Sequence, residues 1–194
     1  MGARVEHLLA LCLLASAVAI PAFAGEEHRE LGAHEHGRGT LNIAVEGNKV
    51  TMELEVPGAD IVGFEHMAKT APEKAAVEKA KMQLAAPLTL FSLPAAAACR
   101  VTEAKVDVEI GEHDHDAKAT EGGKAPAKSE GHSEFHAEYA LECAAPGNMT
   151  AIEFGYFRAF AGAQKLDVNV ITPKGQTKFE VTRASPSLSL AGMM

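Results

Sequence analysis

"LNIAVEGNKVTMELEV", residues 41–56, is the stretch on which the fold turns. Leu41, Ile43 and Val45 alternate with polar neighbours, and after Gly47-Asn48 so do Val50, Met52, Leu54 and Val56. A period of two lays the apolar side chains along one face of a strand. Two residues able to adopt positive φ between such runs make a β-hairpin with one buried face. The hairpin sets Glu46 opposite Lys49 and Gly39 opposite Val56, and brings residues 34–36 opposite roughly 59–61.

Beyond the hairpin, Pro57-Gly58 breaks the second strand and "ADIVGFEHMAKT" crosses to a helix. Thr70-Ala71-Pro72-Glu73 supplies an N-cap hydroxyl, a first-turn proline and a glutamate three residues after the cap, which together form a capping box. The helix carries a thin apolar stripe of Val77, Ala80 and Leu84, Pro87 stops it, and "LTLF" reads as a short strand. From Cys99 to Cys143 the pattern is one long hairpin: pairing Glu109 near Ser133 brings the two cysteines opposite each other. The apolar positions change parity between Val101 and Val106. A bulge near Glu103-Ala104 reconciles them and then sets Val108 opposite Phe135 and Val106 opposite Ala137. "MTAIEF", a hairpin in "KLDVNVITPKGQTKFEVT" and a short strand in "SPSLSLAGMM" follow. The fold class is α+β, mostly antiparallel β with hairpins in a sandwich-like sheet and one helix near residues 71–86.

The N-terminus reads as a secretory signal peptide over residues 1–24, with an apolar run from Leu8 to Ile20 and an Ala22-Phe23-Ala24 cleavage site. Residues 25–194 are then a single exported domain, with no membrane insertion after cleavage. Eighteen Lys and Arg against 26 Asp and Glu give a formal charge of −8, which offers no grip on nucleic acid and draws cations towards the surface. Cys99 and Cys143 survive cleavage, and an even pair of cysteines in an oxidising compartment reads as a disulfide.

The histidines are clustered. His34 and His36, His113 and His115, and His132 and His136 form close pairs interleaved with Glu35, Asp114, Asp116 and Glu134. Imidazole and carboxylate suit Zn²⁺, and an H-x-H pair on an extended chain places both rings on one side, about 6.5–7 Å apart along the strand. The register brings His34 and His36 beside Asp60 and within a few residues of Glu65 and His66. One reading is a site of His34, His36 and His66 with Asp60 or Glu65 as a further ligand. The other is a disordered arm beside a hydrogen-bonded core histidine. The tract at about 111–132 has His113, Asp114, His115 and Asp116 at one end and His132 and His136 at the other, and nothing apolar larger than Ala or Pro from 117 to 131. It reads as disordered without metal, either a metal-collecting loop or a solvated insertion. Zn²⁺ is the best-matched ion, and Cu²⁺ or Ni²⁺ can occupy the same imidazoles in vitro. With no H-E-x-x-H, no G-x-S-x-G and no phosphate loop, the chain reads as a non-enzyme.

"HEHGRGTLNIAVEGNKVTMELEVPGADIVGFEH", "LTLFSLPAAAACRVTEAKV", the histidine-rich tract, "HSEFHAEYALEC" and "LDVNVITPKGQTKFEVT" together resemble the ZrgA-type periplasmic zinc-uptake proteins. The resemblance implies a periplasmic zinc-binding protein that assists high-affinity zinc import alongside an ABC transporter and its binding protein. It carries His34, His36 and His66 over as recurring histidines. Members often have a further His after H-x-H-G, where this sequence has Arg38. The alternatives are a periplasmic Cu(II) or Ni(II) carrier or chaperone, and a structural secreted domain whose loop buffers metal incidentally.

Overall fold

The structure, a computed structural model, describes residues 35–111 and 132–194. The alternating run at residues 41–56 forms strands β1 (Arg38–Glu46) and β2 (Lys49–Pro57), paired antiparallel with Glu46 opposite Lys49 as expected. A single turn, α1 (Gly58–Val62), follows directly. Helix α2 (Ala71–Leu84) begins at the capping box: the Thr70 hydroxyl accepts from the Glu73 N–H at 3.3 Å, and the Glu73 carboxylate accepts from the Thr70 N–H at 2.9 Å. The Thr70 and Lys69 N–H groups, both donating to this carboxylate, hold the Glu73 carboxyl below its usual value. Only Ala80 and Leu84 of the thin stripe are buried, with Val77 packed partly against the core.

Two local expectations are corrected. "LTLF" is mostly a helical turn, α3 (Pro87–Leu90), and only Phe91–Ser92 is strand, β3. Pro87 at the first position of the turn explains this, because its fixed φ suits a helix start and offers no ladder donor. The helix at 71–84 is likewise accompanied by the short turns α1 and α3 and by a third, α4 (Tyr156–Ala159).

Strands β4 (Cys99–Gly111) and β5 (His132–Cys143) form the long hairpin, closed at one end by a Cys99–Cys143 disulfide. The register shifts between Val101 and Glu103, close to the expected bulge. Beyond it Val106 faces Ala137 and Val108 faces Phe135, so Glu109 meets Glu134 and Ile110 meets Ser133. The chain continues through β6 (Ala151–Phe154), α4, β7 (Lys165–Thr172), β8 (Gly175–Thr182) and β9 (Ser187–Ser189).

Six strands make one sheet in the order β4-β5-β2-β1-β7-β8, and β3-β6-β9 make a second. The large sheet is antiparallel except where β1 and β7 run parallel, a pairing of strands far apart in sequence. One face of this sheet carries Leu41, Ile43, Leu54, Phe135, Leu141 and Val168 into the core, where they meet Phe91, Ile152, Tyr156, Phe157 and Phe160. Each such side chain, fully buried, contributes roughly 1.5–3 kcal/mol of transfer free energy. The opposite face is polar. Across it run Asn169, Asn42 and Glu53, linked by hydrogen bonds of 2.8 Å and 3.4 Å, and the even-numbered residues of β5 from His132 onward.

Candidate metal centre

The site is assembled at the end of the large sheet where β1 starts and β5 begins. Before β1 the chain turns through Glu35-His36-Gly37, closed by the Arg38 N–H donating to the Glu35 carbonyl at 3.1 Å. Gly37 sits at φ +83°, a conformation that side-chain-bearing residues rarely adopt. Its N–H donates to Asp60 Oδ1 at 2.7 Å and its carbonyl accepts from the Gln164 and Lys165 N–H groups at 2.9 and 2.8 Å. Asp60, buried in the first turn of α1, is therefore the anchor of the turn that carries His36.

Gly63, at φ +86°, ends α1 by donating its N–H to the Ala59 carbonyl at 3.1 Å, and the next residues lead to Glu65. The Glu65 carboxylate, only 12% exposed, receives two imidazoles. His36 Nε2 lies 2.8 Å from Oε1, and His132 Nδ1 makes a short contact with Oε2. Both rings are open to solvent, at 63% and 45% exposure. One carboxylate thus joins a histidine from the turn before β1 to a histidine at the start of β5, 96 positions apart in the numbering.

His66 has different company. It stacks on Phe64 at 4.9 Å between ring centres, its Nδ1 lies 3.1 Å from the Met67 carbonyl, and its Nε2 is 3.9 Å from Glu73 of the capping box. It therefore faces the start of α2. His34, His113, Asp114, His115 and Asp116 lie outside the described residues, as does the stretch 1–24 read as a signal peptide.

His136 occupies a third neighbourhood. Four residues beyond His132 on the same face of β5, it is about 13 Å further along by the rise of a strand, too far for both to reach one ion. Around it stand Glu134 at 3.2 Å and Glu109 at 3.6 Å from Nε2, and Glu55 at 3.8 Å from Nδ1. The Glu134 carboxylate beside the ring holds the imidazole above its ordinary value, against a burial that pulls it down. Glu134 lies on the same strand and is visible beside His136 in the sequence, whereas Glu55 and Glu109 escape a sequence reading because they reach it from two neighbouring strands. The β4–β5 register exposes one of these strands, but the pairing of β2 with β5, which sets Glu55 opposite His136, has no local signature.

Among the described residues, no three His, Cys, Asp or Glu side chains are already gathered around a common metal position. In both clusters the imidazoles lie against carboxylates. Among the same residues no helix is long and apolar enough to cross a membrane. A family model described as ZrgA family zinc uptake protein matches residues 33–190. No curated protein matches the chain.

Proposed function

The chain belongs to the ZrgA family of zinc uptake proteins, and from that premise and the geometry above we propose that it is a zinc-capture protein whose entry site is His36, Glu65 and His132. The observation that carries the reading is the bridging Glu65: one shielded carboxylate already holds two solvent-open imidazoles from distant parts of the chain. Zn²⁺ takes three or four nitrogen and oxygen ligands in structural and catalytic sites, and two imidazoles and a carboxylate are such a set. The backbone that carries His36 is fixed by bonds to Asp60, Gln164 and Lys165, which keeps its imidazole beside Glu65. His34 is two residues from His36 in sequence and extends the same ligand chemistry, as do His113 and His115 of the tract between β4 and β5.

The protein acts by binding and delivery rather than by catalysis. Residues 1–24 direct export to the periplasm, where the captured ion passes to the binding protein of a zinc ABC importer. The acidic balance of the chain supports this role by drawing cations to the surface.

Calorimetric titration of the metal-stripped mature protein with Zn²⁺, Cu²⁺ and Ni²⁺ tests the reading. One zinc-binding event is expected to disappear in His36→Ala/His132→Ala and to weaken strongly in Glu65→Gln. Binding should also fade below about pH 6, as protons compete for imidazole. Zinc binding that is indifferent to all these changes refutes the site, and equal weak binding of all three metals refutes a zinc-specific role.

A further inference from the structure

We propose that the polar face of the large sheet carries a second divalent-cation site, formed by His136, Glu134 and Glu109 and oriented by Glu55. The register places these groups: His136 of β5 lies directly opposite Glu55 of β2, and Glu134 of β5 directly opposite Glu109 of β4. All four project from the face that does not enter the core.

The two separations from the imidazole are close to those of ligands sharing an ion, although the three side chains are not yet gathered around one position. Two donors each about 2.0–2.2 Å from a tetrahedral ion stand roughly 3.3–3.6 Å apart. His136 Nε2 lies 3.2 Å from Glu134 and 3.6 Å from Glu109. The other ring nitrogen, Nδ1, stands 3.8 Å from Glu55, outside hydrogen-bond range, and a side-chain rotation is needed before that carboxylate can accept the remaining N–H of a metal-bound imidazole. Glu109 is 46% exposed on the edge strand β4, so a small rotation of its side chain brings it into the set.

A second observation concerns Nε2 itself. It is shielded from solvent and has no well-formed hydrogen bond, with the Glu134 carboxylate 3.2 Å away and that of Glu109 beyond reach at 3.6 Å. Buried polar atoms are nearly always hydrogen-bonded, and a shielded nitrogen without such a bond beside two carboxylates is a position that a cation between them would satisfy. Three carboxylates about one imidazole carry a charge of −3, which a single proton reduces to −2 and a divalent ion to −1. A mixed nitrogen and oxygen set favours Zn²⁺ over the oxygen-seeking Mg²⁺ and Ca²⁺. A cavity of about 300 Å³ borders the site, lined by Glu55 and Glu134 on one side and Glu35 and Arg38 on the other, which places it next to the turn that carries His36. The geometry stands apart from the zinc-capture reading, and only the identity of the ion rests on it.

The test is long-range ¹H–¹⁵N spectroscopy of the imidazoles in the metal-stripped mature protein during Zn²⁺ addition. His136 is expected to become metal-bound at Nε2 while keeping its proton at Nδ1, in the wild type and in His36→Ala/His132→Ala alike. Glu134→Gln should abolish that change, and Glu109→Gln, on the exposed edge strand, serves should the first variant fail to fold. Glu55→Gln should weaken zinc at His136 about 10–100-fold. If zinc shifts His36 and His132 to saturation while His136 stays unchanged, the second site is refuted and the entry site stands. If His136 alone responds, the entry site fails and this one stands. An equal response of His136 to Mg²⁺ overturns the assigned ion class.

Discussion

Strand β5 has two faces that share a backbone and little else. Phe135, Ala137, Tyr139 and Leu141 are buried in the core, whereas His132, Glu134 and His136, alternating with them, stand on the polar face. The pleat keeps the two sets apart although they are one peptide unit from each other. The comparison teaches that the fold rests on one face and the ion chemistry on the other, so either can be disturbed with limited effect on its neighbour. The polar face is divided in turn. At the strand end one carboxylate serves two exposed imidazoles, while further along three carboxylates surround one shielded imidazole.

The sharpest way to break the comparison is to truncate the buried face. Phe135→Ala removes a ring that is 1% exposed and should cost about 3–5 kcal/mol in denaturant unfolding, with the zinc stoichiometry of the folded protein unchanged. A cost below about 1 kcal/mol would mean that Phe135 does not sit in a packed core. Next in size is the disulfide, at the end of β5 away from the histidines. It joins residues 44 apart in sequence, and its reduction should cost about 2–4 kcal/mol, read from melts with and without reductant. Zinc binding at Glu65 should survive that reduction at temperatures where the protein stays folded.

The smallest effect is on the polar face and depends on pH. With its pKa raised by Glu134, His136 contributes stability that is fully present below the unfolded value of about 6.5 and is lost as pH rises through the folded value. In chelator-treated protein the stability advantage of the wild type over His136→Gln should therefore shrink between pH 6 and pH 8. An advantage that grew across this window would show that Glu134, Glu109 and Glu55 do not act on the ring as their distances imply. The Phe135→Ala deficit should show no such trend.

Some of this was legible in the chain and some was not. The hairpin at 41–56, the capping box at Thr70, the bulge below Val106 and the opposition of Cys99 and Cys143 all follow from local signals: period-two alternation, turn residues, a cap three residues from its glutamate, and register counted along one hairpin. "LTLF" misled because an apolar run of four does not separate a strand from a buried helical turn. Of the site, the residue types were visible and the grouping was not. His36 was expected with His66 and with Asp60 or Glu65; Glu65 does meet it and Asp60 holds its turn, while His66 turns to Glu73.

The sequence by itself determined which strands exist, which of their faces is apolar, how each hairpin is registered and which side chains could hold a metal. Tertiary structure alone decided that β1 lies parallel to β7, that β2 lies against β5, and hence that His36 shares a carboxylate with His132 and that His136 falls among Glu55, Glu109 and Glu134. The physical reason is range. Periodicity, capping and turn chemistry act over a few residues and leave a local mark. The pairing of distant strands is settled by closing the common core, and that leaves no mark on any one segment.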